Sequence, residues 1–349
     1  MRVLVTGHNG YVGSVMIPVL QAAGHDVCGF DTHFFEECTF EEAAVAPYPV
    51  IRKDVRDVAS SDLEGFDAVV HLAALCNDPL GDLNPDWTLD INYRASVRLA
   101  ELAREAGVER FLFSSSCSMY GAAGEDMLSE RAPLAPLTPY AVSKVKTEEG
   151  LAGLASPTFS PVFLRNATAY GVSPRLRNDI VLNNLTGWAY TTGKVRIMSD
   201  GMAWRPLVHI QDIARAFAAM LVAVREAVHN QAFNIGTNDD NYRVRDLAEI
   251  VRETVPNSTV EYAGGAVADP RNYRVDFTKY VTAFPSAAPK WNARLGAEEL
   301  YVAFAAHGLT FEEFRSRQYF RLEQFKHLID LGYLDQTLRW KERNGAAVS

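Results

Sequence analysis

Short apolar runs alternate with longer stretches of helical period along the first half of the chain. Arg2-Val3-Leu4-Val5-Thr6 predicts a strand, Tyr11 to Ala23 a helix that stops at Gly24, and Asp26 to Phe30 a second strand. Further strands are predicted at Val50 to Lys53, Ala68 to Leu72, Arg110 to Ser114 and Val162 to Arg165, with long helices at Asp86 to Ala106 and Tyr140 to Leu154. Strands this short and apolar suit a parallel sheet covered by helices on both faces. The stretch from Ala122 to Pro139, rich in Ala, Pro and acids, reads as a loop. Beyond Arg165 the elements become mixed, with helices near 180–191, 212–224 and 244–255 and short strands at 194–198, 233–236 and 259–262. From Ala297 to Trp340 the period is again helical and rich in aromatics. That run predicts either a helical pair packed on the smaller lobe, or a subunit contact or lid. The expected organisation is a first domain over 1–165 to which some later segments return, a smaller mixed α/β lobe over 166–310, and a helical extension over 311–349.

Composition narrows the setting. The 349 residues are 48% apolar, enough for a sizeable core, and the net charge is −9. An acidic chain without basic runs excludes general nucleic-acid binding. No apolar run approaches the length of a membrane span. The four cysteines form no C-x-x-C pair, no metal-ligand spacing occurs, and the first strand begins at once with no signal layout. A cytoplasmic setting is expected.

The turn after the first strand, Gly7-His8-Asn9-Gly10-Tyr11-Val12-Gly13, leads into a helix, a second strand and Asp31, 18 residues past Gly13. This is the dinucleotide-binding layout. Gly7 makes the turn, Gly10 lets backbone approach a diphosphate, and Gly13 lets helix and strand pack closely. The helix amino end presents free N–H groups to the phosphates. Asp31 suits the ribose hydroxyls and repels a 2′-phosphate, and no basic residue follows before Arg52, so NAD is favoured over NADP. Tyr140 and Lys144 stand four apart in a predicted helix, on one face. A phenol beside an ammonium is a better base than its unperturbed value near 10 allows. His71, inside an apolar strand, reads as a core histidine.

Thr6-Gly-x-x-Gly-x-x-Gly13, Asp31, Asp54-Val55, Leu72-Ala73-Ala74, Ser116 to Gly121 and Tyr140-x-x-x-Lys144 together resemble the extended short-chain dehydrogenase/reductases, within them the nucleotide-sugar epimerase/dehydratase group. The resemblance runs to about residue 310. It implies an α/β fold: a Rossmann-type doubly wound parallel sheet with a smaller mixed α/β substrate lobe. It implies NAD held by Gly7, Gly10, Tyr11, Val12, Gly13, Asp31, Asp54, Val55, Leu72, Ala73 and Ala74, with Tyr140 and Lys144 at its nicotinamide end. Tyr140 matches the catalytic base, Lys144 its assistant, and Ser116 the hydroxyl that holds the reacting sugar oxygen. Arg205, in Gly201-x-x-x-Arg-x-x-x-His-x-x-Asp212, and Arg271 match a pair that clamps a nucleotide diphosphate. Asn183 matches an asparagine near the substrate phosphate.

Two departures from the group's pattern matter. Members that make 4-keto-6-deoxy sugars carry Asp-Glu directly after the catalytic Ser or Thr, whereas here those positions are Cys117 and Ser118. Thr168 stands where many relatives place an asparagine beside the sugar. Both cysteine and serine are expected to line the sugar pocket. The resemblance therefore implies an NAD-dependent 4-epimerase of a nucleotide-diphosphate sugar, working through a transient 4-ketose. The competing readings are a nucleotide-sugar 4-ketoreductase or dehydrogenase, then a 3,5-epimerase or atypical dehydratase using Cys117, then a non-catalytic NAD-binding scaffold. A homodimer is expected by analogy.

Overall fold

The computed structural model describes residues 1–41, 45–76, 83–267 and 271–341. Its centre is a seven-stranded sheet built from β1 (Arg2–Thr6), β2 (Asp26–Asp31), β3 (Val50–Arg52), β4 (Ala68–His71), β5 (Arg110–Ser116), β7 (Ser160–Asn166) and β11 (Gln231–Ile235), in the order β11-β7-β5-β4-β1-β2-β3. Every pairing in it is parallel. All of β4 and all of β7 are buried, which is why the centres of those strands, Ala68 to Val70 and Val162 to Leu164, read as apolar runs. Alternate residues serve opposite faces. Val3 and Val5 pack with Met16, Ile17 and Phe217, from the helices Gly13–Ala22 and Ile210–Val222. Leu4 packs with Leu99 and Leu151, from the helices Ala95–Glu105 and Pro139–Ala152. The strand order reverses between β1 and β4, so a crevice opens at the carboxyl ends of those two strands. β11, 65 residues past the end of β7, returns to the sheet after an excursion into the smaller lobe.

That lobe is assembled from short pairings. β8 (Thr168–Tyr170) runs parallel to β10 (Trp204–His209), which pairs antiparallel with β12 (Asn241–Arg243). β9 (Lys194–Ser199) runs beside β13 (Thr259–Val267), and β6 (Ala122–Leu128) beside β14 (Asn272–Val275). The stretch expected to be a loop from Ala122 thus contains a strand. Its partner is nearly 150 residues away, and a local period cannot reveal such a pairing. Leu182, Leu185, Leu247, Val251, Leu300 and Phe304 from the helices Val181–Thr192, Val244–Thr254 and Ala293–His307 form the lobe's own core.

The chain past Gly308 does two things. Phe314 packs on Gly187 and Trp188 in the smaller lobe. The helix Arg321–Asp330 then crosses to the large sheet, where Phe325 meets Phe34 and Phe35 at ring distances of 5.2 and 5.4 Å. Leu328, Leu334 and Leu338 join the same core as Phe111. Polar bonds fasten the strap: Gln324 Nε2 to the Phe34 carbonyl at 3.0 Å, Trp340 Nε1 to the Thr32 carbonyl at 2.7 Å, and Arg56 Nη1 to the Thr337 carbonyl at 2.6 Å. A helical pair resting on the small lobe describes only the first half of this extension. Phe325 is 2% exposed. Phe325→Ala is expected to lower unfolding stability by about 3–5 kcal/mol, read from urea titration.

Candidate active site

The crevice at the switch point is a cleft of about 1150 Å³. Gly7 forms its floor with φ 74°, and a Cβ there would lie 2.7 Å from the Ala73 amide nitrogen. A Cβ on Gly13 would run into the Gly7 carbonyl and sit 2.6 Å from the His8 Cα. At Gly10 an added Cβ would meet only the Gly7 carbonyl, at 3.2 Å, so its outer side faces the cleft. The amides of Gly7, Asn9 and Gly10 are held by the Phe30 carbonyl, Asp31 and the Gly7 carbonyl, so it is the amino end of the following helix that the turn presents to an anion. Asp31, at the end of β2, accepts from the amides of Asn9 at 3.1 Å and His33 at 2.7 Å, while burial pushes its pKa up. Asp54 caps the turn Val55–Asp57 and holds Arg56 at 2.6 Å. Leu72, Ala73 and Ala74 complete this wall. His71 lies beneath it, buried between Thr6 Oγ1 at 2.6 Å and Ser96 Oγ at 2.7 Å, as a core histidine.

At the other end stand Ser116, Ser118, Tyr140 and Lys144, all lining the same cleft. Thr138 caps the helix that carries Tyr140, accepting from the Ala141 amide at 3.2 Å, and Pro139 occupies the first helical position. Lys144 Nζ donates to the Ser114 carbonyl at 2.6 Å, lies 4.6 Å over the Phe113 ring and 5.6 Å from the Tyr140 ring centre. Burial lowers its pKa to about 8, opposed by Cys76 and Glu148, which leaves it cationic at neutral pH. Ser116 Oγ accepts from the Ser118 amide and donates to Ser118 Oγ at 2.9 Å. Cys117 turns away. Its Sγ is buried, 3.1 Å from the Arg165 carbonyl, and burial raises its pKa far out of the thiolate range. It is not among the cleft residues, contrary to the expectation that it lines the pocket, because the chain leaves β5 there in a tight turn.

Asn92 was not singled out by sequence. It sits in a widened helical turn, Leu89–Arg94, that interrupts the helix predicted from Asp86. Its amide clasps both backbone groups of Leu75, at 2.7 and 2.9 Å, and reaches Ser143 Oγ at 3.2 Å. It thereby ties the strand end after Ala74 to the Tyr140 helix, a use typical of such turns.

From the smaller lobe, Thr168, Arg205 and Arg271 reach the cleft. Arg205 is buried and donates through Nη1 to the carbonyls of Trp204, at 2.7 Å, and Arg271. Asp269 and Pro270, which precede Arg271 in its motif, lie outside the described residues. Asn183 does not line the cleft. It is fully buried, with bonds to the Tyr11 hydroxyl at 3.2 Å, the Gly171 amide at 3.1 Å and the Arg177 carbonyl at 2.9 Å. The neighbouring Asn184 lines the cleft instead. Arg177, Asp179 and Arg321 also line it, and no motif pointed to them.

A family model described as the NAD dependent epimerase/dehydratase family matches residues 3–236. The chain belongs to this family. A UDP-glucose 4-epimerase of Corynebacterium glutamicum is 32% identical over 272 residues, covering 72% of this chain and 80% of that protein. One of Mycolicibacterium smegmatis is 29% identical over 297 residues, covering 80% and 91%. Among solved structures, MoeE5 in complex with UDP-glucuronic acid and NAD superposes with a TM-score of 0.76 at 26% identity, over 88% of this chain and 100% of that one. The protein is accordingly an NAD-dependent enzyme of the nucleotide-sugar epimerase/dehydratase type.

The cleft fits the family cofactor on its own terms. The glycines at 7 and 13 let the turn and the first helix pack closely, which brings the helix amino end to the cleft for a diphosphate, and a carboxylate stands at the end of β2 for the ribose. Gly13→Ala forces backbone against backbone. It is expected to leave a protein that folds less stably and purifies without NAD, measured by nucleotide extraction and thermal unfolding. A second expectation concerns pH. The Lys144 pKa is about 8 folded and 10.5 unfolded, so between those values the unfolded chain binds more protons. Stability owed to this residue therefore rises with pH across that window. The stability difference between wild type and Lys144→Met is expected to be flat below pH 7 and to shift in favour of wild type from pH 8 to 10, by on the order of 3 kcal/mol at most.

Proposed function

We propose that this enzyme is a nucleotide-sugar 4-epimerase that inverts C4 of a UDP-hexose or UDP-hexuronic acid through a transient 4-ketose. The observation that carries the reading is a complete Ser116, Tyr140 and Lys144 set lining one cleft, with no carboxylate at the two positions after Ser116: Ser118 faces the cleft and Cys117 is buried away from it. Loss of water from C6 needs an acid and a base near C5 and C6. Neither residue can supply them, which also weighs against a 3,5-epimerase or dehydratase working through Cys117. Bound NAD supplies the hydride acceptor and donor at C4. Tyr140, as phenolate, takes the proton from the C4 hydroxyl and later returns it, while the charge of Lys144 favours a phenolate close by. Ser116 holds the same oxygen throughout. Arg205 and Arg271 grip the diphosphate, so the 4-ketose can turn over within the site without leaving it. Thr168, shorter than the relatives' asparagine, gives the turning sugar room.

On this reading residues 1–165 with β11 hold the cofactor, 166–310 the nucleotide sugar, and 311–349 form an extension. A cytoplasmic homodimer is part of the same proposal. The cytoplasmic setting accords with four free cysteines, and the homodimer rests on analogy with the family.

The test offers UDP-glucose, UDP-galactose and UDP-glucuronic acid separately to the purified enzyme and follows the anomeric protons by NMR. The expected result is interconversion of C4 epimers with no net change in nicotinamide redox state. Stoichiometric consumption of free NADH with a 4-ketosugar would overturn it in favour of a ketoreductase. Tyr140→Phe is expected to lower kcat by about 10²–10⁴-fold with KM and NAD content little changed. Full activity in that variant would remove Tyr140 from the chemistry.

A further inference from the structure

Arg321 opens the last long helix, on the extension outside the 3–236 stretch of the family model, and is one of the residues lining the cofactor cleft. The residue is 4% exposed. Nη2 donates to the Arg175 carbonyl at 2.6 Å and the guanidinium lies 4.3 Å over the Phe35 ring, but Nη1 is buried with no hydrogen-bond acceptor. Among the described residues no carboxylate lies within ion-pair distance of it. Asp179, the acid whose charge acts on it, is held by Arg177 at 2.8 Å. Arg177 adds a second positive charge, and burial together with that charge lowers the Arg321 pKa to about 10. A buried cation in such company is costly unless an anion completes it.

We propose that Arg321 binds the diphosphate of NAD, which makes the C-terminal extension a wall of the dinucleotide site. Two observations choose the diphosphate of the cofactor. The charge of NAD that could answer a guanidinium resides on its phosphates. The position of Arg321 is tied to the glycine turn, since it grips the backbone of Arg175, whose own Nε donates to Asn9 Oδ1 within that turn at 2.9 Å. Arg205 and Arg271 belong to the other lobe, where the nucleotide sugar is proposed to lie. The assignment rests on the family cofactor and is independent of which sugar reaction follows.

Arg321→Gln keeps a donor for the Arg175 carbonyl and removes the charge, and Arg321→Lys keeps the charge without the fork. NAD per chain is measured after gel filtration and acid extraction. Charcoal-stripped protein is then titrated calorimetrically with NAD, with adenosine and with UDP. Arg321→Gln is expected to bind NAD about 10- to 100-fold more weakly, with adenosine and UDP unchanged and the lysine variant intermediate. Thermal unfolding should show the stripped Gln variant at least as stable as stripped wild type, and less stable once NAD is added to both. Unchanged NAD affinity would overturn the proposal. So would an equal loss for adenosine, a loss confined to UDP, or a Gln variant that fails to fold, which would make the guanidinium a structural prop.

Discussion

The approach of two backbones at Gly7 and Gly13 is the constraint on which the rest depends. The β1 turn passes within contact of Ala73 beyond β4, and the first helix presses on that turn; a Cβ at either glycine would separate them. Their closeness places the amino end of the first helix beside the small residues that follow β4. It also fixes Asp31 at a set reach, because β2 is registered on β1 residue by residue. Everything chemical is measured from this floor. β4 carries β5, β5 ends in Ser116, and the Ser114 carbonyl on β5 receives Lys144.

Around that floor the enzyme gathers buried positive charge. Lys144 sits at the proposed nicotinamide end, Arg321 and Arg177 near the glycine turn, and Arg205 on the opposite lobe. Some are balanced internally, as Arg177 is by Asp179. Others line the cleft in which the proposed phosphates and phenolate would lie. Burial strengthens such interactions because little water screens them, and it makes an unfilled site less stable than a filled one.

The large sheet was legible in the sequence because its strands are buried on both faces and the glycine turn has a mechanical reason for each glycine. The smaller lobe was less so. β6 and β14 are short and lie far apart in the chain, and nothing within either stretch announces the other. The errors within the site were of phase. Asn183 and Asn184 differ by about 100° of helix, enough to place one in the core and the other on the cleft. Cys117 and Ser118 part in the same way in the turn that follows β5. A motif specifies the residue type and the neighbourhood, and the direction of a side chain depends on packing that only the folded chain supplies.

Arg321 and Asn92 show a different kind of invisibility. Neither belongs to a pattern, and each acts by holding something distant: Asn92 the backbone of Leu75, Arg321 that of Arg175. Their importance follows from burial. A polar group taken out of water must be satisfied, so where a buried polar atom finds its partners, or lacks one, is informative in itself. Asn92 is spent on protein groups and therefore positions the site. Arg321, a residue of the cleft lining, has one buried nitrogen over. The extension that carries it is anchored by Phe325 and Trp340 to the segment following Asp31. The same apolar contacts that stabilise the tail thus set a cation beside the cofactor site. The chain past the family core is therefore joined to the site by packing.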